Sequence, residues 1–279
     1  MLRTRVLTAL VGIPLALAVI FAPGGGLMAF ALSVLALLGA LEYRRAYLHV
    51  DWIPQPRPNL ILLLTGACLP LLFWRFPQAT LASVLLPALA LAALYELAQA
   101  WGGRRLSLAA SLGYGTFGML YIGWLFSFGV LLRADYTPAS LWGWQVERGA
   151  LWVLWLLAML WLGDSGAYFV GRAMGRRKLA PMLSPAKTVE GSLANLALCV
   201  LVGWQGGTAL GLPLGWAIAG GLGVGILGQI GDLFESALKR AVGIKDFGSI
   251  LPGHGGVLDR FDSFLFSAPW VWWVAQHAS

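Results

Sequence analysis

Acidic residues are scarce in this 279-residue chain, and seven of its twelve fall between residues 164 and 262: Asp164, Glu190, Asp232, Glu235, Asp246, Asp259 and Asp262. The stretch 239-KRAVGIKDFGSILPGHGGVLDRFD-262 holds four cations, three acids and a histidine, although only 11% of the chain is charged. Just before it, in GQIGDLFESALKR, Asp232, Glu235, Ser236 and Lys239 fall at i, i+3, i+4 and i+7, one stripe of a helix. Asp259 and Asp262 share a face by the same spacing, as do Asp164 and Tyr168 in LWVLWLLAMLWLGDSGAYFVGR. Carboxylates collect a hard cation such as Mg²⁺, which binds through one or two side chains plus phosphate oxygens. Lysine and arginine take up the remaining phosphate charge. Gly253, Gly255 and Gly256 let the backbone approach a ligand closely. This set suits phosphoryl or nucleotidyl transfer, in which catalysis is largely positioning and charge neutralisation.

Plainer readings compete at each position. Acid-before-lysine pairs stabilise ordinary helix ends, and acids in a first turn complement the helix dipole. Asp232 fits neither, because about sixteen apolar or glycine residues precede it. Asp164 reads either as a functional acid or as a buried carboxylate bonded to a neighbouring helix. The loop 171-GRAMGRRKLAPMLSPAKTVEGS-192 supplies Lys187, Thr188 and Glu190, but it contains no GxxxxGK[ST] phosphate loop. His254 stands alone among the acids, which argues against a histidine-rich zinc site. No cysteine nucleophile or serine triad is suggested. GVGILG, at 223–228, matches G-x-G-x-x-G, yet no strand precedes it; Gly221 and Gly225 there read as a helix-packing face.

The elements that must position these residues are apolar helices. The chain is 59% hydrophobic with a mean hydropathy of +0.76, too greasy and too sparsely charged for a water-facing surface. Nine apolar runs are legible, at about 6–22, 27–42, 59–74, 79–97, 109–132, 150–171, 193–210, 214–236 and 262–276, each near the length of a tilted membrane-crossing helix. The expected fold class is all-α, a polytopic integral membrane protein with a cytoplasmic N-terminus. It is a single membrane-embedded domain, 1–279, with N-terminal helices over 1–105 and catalytic helices and loops over 106–279. The basic start MLRTR followed by an apolar run reads as a first anchor rather than a cleaved signal. With the N-terminus inside, sixteen of the nineteen lysines and arginines fall in cytoplasmic segments and only Arg75, Arg133 and Arg148 outside, as the positive-inside bias requires. The net charge of +7 then describes a face suited to anionic lipids and phosphates, not to nucleic acid. Glu42, Asp51, Glu96, Asp135 and Glu147 lie near span ends and read as solvated. Cys68 and Cys199 read as small core residues.

The residues also carry a resemblance. Ser236-Ala-Leu-Lys239-Arg240, Lys245-Asp246 and Leu251-Pro252-Gly253-His254-Gly255-Gly256-Val257-Leu258-Asp259-Arg260-Phe261-Asp262 resemble the signature of the phosphatidate cytidylyltransferases, or CDP-diacylglycerol synthases. The blocks GDSGAYFVGR, SPAKTVEG and RVLTALVGIPLAL are similar to other parts of that family, so the resemblance covers the whole chain. It implies transfer of the cytidylyl group of CTP to phosphatidic acid, with Mg²⁺, one ion or two, as cofactor. It implies a multi-pass protein of a bacterial-type plasma membrane with its site on the cytoplasmic side. CTP, phosphatidic acid and membrane lipids are the implied partners; oligomeric state stays open, a homodimer included.

Carried over on that resemblance, Asp232 and Asp259 are the first-choice metal ligands, with Asp262 and Asp164 as second choices. Lys239, Arg240, Lys245 and Arg260 are implied to neutralise the triphosphate or the lipid phosphate. Ser184, Lys187 and Thr188 are implied to hold phosphate. His254 is implied to orient a phosphate or an acid, Asp246 to help bind substrate, and Gly255 and Gly256 to admit the ligand. Two other readings remain: a transferase acting on polyprenyl or CDP-alcohol substrates, and an ion-coupled transporter. The first lacks its DG-x2-AR motif here. The second predicts acids at mid-bilayer in related halves, whereas these acids cluster and no repeat is evident.

Overall fold

The computed structural model describes residues 2–48, 57–102, 108–250 and 255–278. His254 and Asp51 lie outside them. Among the described residues the chain forms nine helical rods: α1 (Leu2–Phe21), α2 (Gly26–Leu48), α3 (Leu60–Arg75), α4 (Leu81–Trp101), α5 (Leu108–Arg133), α6 (Arg148–Met174), α7 (Val189–Ala209), α8 (Leu214–Ala241) and α9 (Leu258–His277). Each carries one of the nine apolar runs. Five of them (α2, α4, α5, α6 and α8) are long and apolar enough to cross a membrane. α3 falls short at 16 residues. α7 and α9 have the length but carry more polar side chains, Glu190, Ser192 and Asn195 on one and Asp259, Asp262 and Ser263 on the other.

Two short antiparallel hairpins interrupt the expected all-helical chain. One pairs β1 (Pro138–Leu141) with β2 (Trp144–Glu147), and the other pairs β3 (Lys178–Ala180) with β4 (Ser184–Thr188). The first turns through Trp142 and Gly143, both at positive φ (49° and 86°). That is the backbone sign a tight two-residue hairpin requires.

The chain divides into two compact units, residues 1–131 with 241–260, and residues 132–240 with 261–279. In the first, Leu62, Leu69, Phe73, Ala88, Ala92 and Met119 form a buried apolar cluster. Residues Met119–Trp124 of α5 wind as a π-helix. There α5 runs against α3 so closely that a side chain on Gly123 would strike the Gly66 backbone. Asn59 caps α3 by accepting from Ile61 and Leu62 N–H and donates from Nδ2 to Glu96 Oε1 at 2.8 Å. Ser111 donates to the same oxygen. Glu96 is therefore buried, at 5% exposure, and not solvated as its place near a span end suggests. A buried acid persists when donors surround it.

In the second unit the helices close on glycine. Trp155 of α6 fills a slot bounded by Gly206, Gly207 and Gly220 and donates from Nε1 to Gly203 O at 3.2 Å. The α7–α8 crossing brings backbone against backbone: a Cβ on Gly203 would sit 2.6 Å from Gly221 Cα. At the start of α6, two further acids read as solvated have fixed partners. Glu147 pairs with the buried Arg133. Asp135 accepts from the N–H of Thr137 at 3.1 Å and from Trp152 Nε1 at 3.3 Å.

Candidate active site

The second unit holds a cavity of about 440 Å³ lined from α6, β3, β4, α7, α8 and α9. Its polar lining comes from Asp164, Tyr168 and Arg172 of α6, Lys187 and Thr188 of β4, Ser192 and Asn195 of α7, Gln229 and Asp232 of α8, and Ser263 of α9. Helical spacing delivers most of these. Asp164, Tyr168 and Arg172 stand at successive fours along α6, and the Arg172 guanidinium donates to the Tyr168 hydroxyl at 2.8 Å. α8 passes close to α9 because Gly231 presents no side chain: a Cβ there would meet the Asp262 backbone carbonyl at 2.5 Å.

Lys187 and Asp232 are in ion-pair contact, each partly open to solvent. Asp262 lies within electrostatic reach of Asp232, Lys187 and Asp164, and its Oδ1 accepts from the Ser263 N–H at 2.6 Å. Lys187 is delivered by the β3–β4 hairpin, which runs directly into α7. Thr188 caps that helix by accepting from Gly191 N–H at 3.2 Å. Glu190, in the first turn, accepts from the N–H groups of Arg176 and Arg177 at 3.1 and 3.3 Å. Hydrogen bonding from its own N–H and then from those two holds its carboxyl below the usual carboxylate range. The arginine-rich loop is thereby tied to the start of α7.

A chain of amides lies beneath the acids. Asn195 donates from Nδ2 to Asp164 Oδ1 at 3.2 Å. Gln229 donates from Nε2 to Asn195 Oδ1 at 3.3 Å, and to the carbonyls of Ser192 and Gly225 at 3.3 and 2.7 Å. Ser192 donates to Gln229 Oε1. Three helices are thus locked around Asp164. Asn195 and Gln229 belong to no motif; their one signal is a neutral amide inside an apolar run, where a polar group is expensive unless it has a task.

Of the residues singled out from sequence, Asp164, Lys187, Thr188 and Asp232 line this cavity, with Asp262 beside them. Ser184 opens strand β4, three residues before Lys187, and is partly buried. Lys239 pairs with the buried Glu235 at 2.8 Å, the salt-bridged helix end that its spacing allowed. Arg240 is exposed in the last turn of α8, and Lys245 and Asp246 are exposed in the connection that follows.

Gly255, Gly256, Asp259 and Arg260 belong to the first unit. Gly255 has φ +84°. Asp259 Oδ2 accepts from the N–H groups of Phe247 and Gly256 at 3.0 and 2.9 Å, so one of its oxygens folds the connection onto the start of α9. Arg260 is exposed, and its N–H donates to Val257 O at 3.1 Å.

Among the described residues no three carboxylate, histidine or cysteine side chains gather into a metal cage. The acids of the second unit fit a sparser arrangement. Asp232 and Asp262, with Asp164 nearby, match the one or two carboxylates that Mg²⁺ takes from a protein when phosphate oxygens complete its shell.

Fold and site together define a helical membrane protein with an acid- and lysine-lined chamber. The chain belongs to the cytidylyltransferase family: the profile of that family matches residues 3–278. Proteins named phosphatidate cytidylyltransferase are among its relatives. That of Synechocystis sp. (strain PCC 6803) is 32% identical over 292 aligned residues, 96% of this chain and 94% of the relative. That of Bacillus subtilis (strain 168) is 39% identical over 165 residues, 58% of each chain. That of Staphylococcus epidermidis is 43% identical over 125 residues, 44% of this chain and 48% of the relative. The chain therefore spans under two thirds of the length of two of these three relatives.

Proposed function

We propose that this protein transfers the cytidylyl group of CTP to phosphatidic acid. A phosphate oxygen of the lipid attacks the α-phosphorus of CTP, the bond to the β-phosphate breaks, and pyrophosphate leaves as CDP-diacylglycerol forms. The observation that carries this reading is the Lys187–Asp232 pair lining one cavity with Asp164, with Asp262 within electrostatic reach of all three, in a chain matched almost end to end by the cytidylyltransferase family.

The attacking phosphate is already anionic, so no general base is required. The barrier is the approach of two anions, and fixed cations lower it. Lys187 supplies one such charge in the cavity and Arg172 a second. In this reading Asp232 and Asp262 would hold Mg²⁺, with Asp164 in support, and Asp259 is a ligand candidate on the family signature alone; the ion would screen the phosphates and stabilise charge developing on the leaving group. Asn195 and Gln229 keep Asp164 turned into the cavity. Thr188 and Ser184 offer hydroxyls, and Lys239, Arg240, Lys245 and Arg260 give the face its positive potential. The same reading places nine spans in a bacterial plasma membrane with the N-terminus and site on the cytoplasmic side, supported by the sixteen-to-three distribution of basic residues.

The test is purified protein in nanodiscs with phosphatidate, Mg²⁺ and CTP labelled at the α-phosphorus. Labelled CDP-diacylglycerol is expected, and Asp232→Asn should remove it while the protein keeps its melting temperature. No labelled lipid from the unaltered protein, across several lipid and detergent conditions, would refute the assignment.

A further inference from the structure

Glu42 sits on α2, 215 residues before Val257 in the chain, and it is 1% exposed. Its carboxylate accepts from the backbone N–H of Val257 at 3.0 Å through Oε1 and of Leu258 at 3.1 Å through Oε2. These are N–H groups at the first turn of α9, which no partner within that helix can satisfy. The carboxylate also faces the positive end of the helix dipole. An acid supplied by another helix therefore caps α9.

The fit is close on every side. A Cβ on Gly256 would stand 2.6 Å from both Glu42 oxygens, and one on Gly248 2.8 Å from Glu42 Cδ. One turn earlier on α2, a Cβ on Gly39 would stand 2.9 Å from Leu258 Cδ2. Only glycine at 248 and 256 lets the connection wrap this carboxylate. Asp259 grips the same connection from its other side, accepting from Phe247 and Gly256 N–H. Phe247 and residues 256–258 are thus held by two carboxylates, one from α2 and one from α9.

We infer that Glu42 is a positioning residue: by holding the amides of Val257 and Leu258 it fixes the connection and the first turn of α9, and so sets where Asp259 stands. It touches no substrate and acts through the backbone. The inference rests on the cytidylyl-transfer reading for its effect on turnover, but the amide contacts stand apart from it.

The experiment uses the full chain in nanodiscs and two variants, Glu42→Gln and Gly256→Ala. The first keeps one acceptor oxygen and replaces the other by a donor, while the second crowds the carboxylate from the loop side and keeps its charge. Hydrogen–deuterium exchange is followed in peptides covering 247–262, and kcat and KM for CTP are measured well below the melting temperature. Exchange in that segment should quicken at least tenfold in both variants, with the other helices unchanged. kcat should fall about tenfold, equivalent to about 1.4 kcal/mol, with KM for CTP moving less than threefold. Should Glu42→Gln fail to purify as folded protein, Gly256→Ala carries both readouts. Unchanged exchange in the segment, or faster exchange with unchanged kcat, overturns the positioning role while leaving cytidylyl transfer standing. Absence of product from the unaltered protein instead refutes the reaction, and the exchange data still decide the clamp.

Discussion

Gly203→Ala tests whether the glycine seam between α7 and α8 sets the geometry of the cavity. The added methyl would lie 2.6 Å from Gly221 Cα, 2.8 Å from Gly221 N and 3.1 Å from Ala217 O. Carbon atoms in good contact stay ~3.5 Å apart or more, so the two helices must part by about 0.9 Å. The obstructing atoms are backbone and cannot swing aside as the end of a side chain would. Overpacking of this kind costs about 1–3 kcal/mol, while alanine in place of glycine returns up to about 1 kcal/mol of helix propensity. A net loss of about 1–2 kcal/mol follows.

Gly113→Ala in α5 is the matched control. It makes the same chemical change in a helix where nothing lies within 4 Å of the new methyl, so propensity alone should raise stability slightly. The two variants should move the melting temperature in opposite directions when unfolding is followed by light scattering in detergent. Activity should separate them further. Asn195 and Gln229 lie eight residues from Gly203 and Gly221 on the same two helices, and their mutual hydrogen bond is 3.3 Å long. An opening of even half the required amount carries it beyond useful length. Misplacement on this scale typically costs ten- to a hundredfold in rate. If Gly203→Ala melts no lower than Gly113→Ala, or turns over at the normal rate, the seam does not govern the site.

Asn195→Ala should leave Asp164 without its amide donor and lower kcat/KM by about ten- to a hundredfold, for a stability loss of about 1–3 kcal/mol; a steady-state assay with a melting curve reads both. Glu96→Ala removes the shared acceptor of Asn59 and Ser111 and should cost about 2–4 kcal/mol, seen as a drop in melting temperature. Trp142→Asn should do the opposite: asparagine tolerates the left-handed backbone of that hairpin turn, and a gain of about 0.5–1 kcal/mol should appear as slower thermal inactivation in detergent.

Helix positions were legible because a long apolar run leaves the chain few choices, and each of the nine runs lies on a helix. Asp232 stood out for the same reason, as a charge where hydropathy forbids one, and the structure places it in the cavity beside Lys187. The fates of Glu42, Glu96, Asp135 and Glu147 were not legible. Each lies near the end of an apolar run, where solvation is the default, and each is held by donors whose approach only the tertiary fold reveals. Glu42 is the extreme case, its donors being two backbone N–H groups that carry no sequence identity at all. The β3–β4 hairpin escaped notice because a basic loop needs no explanation beside a membrane; only the pairing shows that it delivers Lys187 and starts α7. Asn195 and Gln229 announced themselves weakly, since reading charges alone overlooks neutral amides.

The π-wound stretch Met119–Trp124 has a consequence for how α5 can vary. One widened turn stores an additional residue without lengthening the rod, and it offsets the angular phase of the two halves by about 100°. Deleting a single residue there would relax the winding to an ordinary helix and return both halves to a common phase, whereas deletion elsewhere in the rod would swing one half out of alignment. This short stretch is the joint at which the rod can lose a residue with its two halves still in phase.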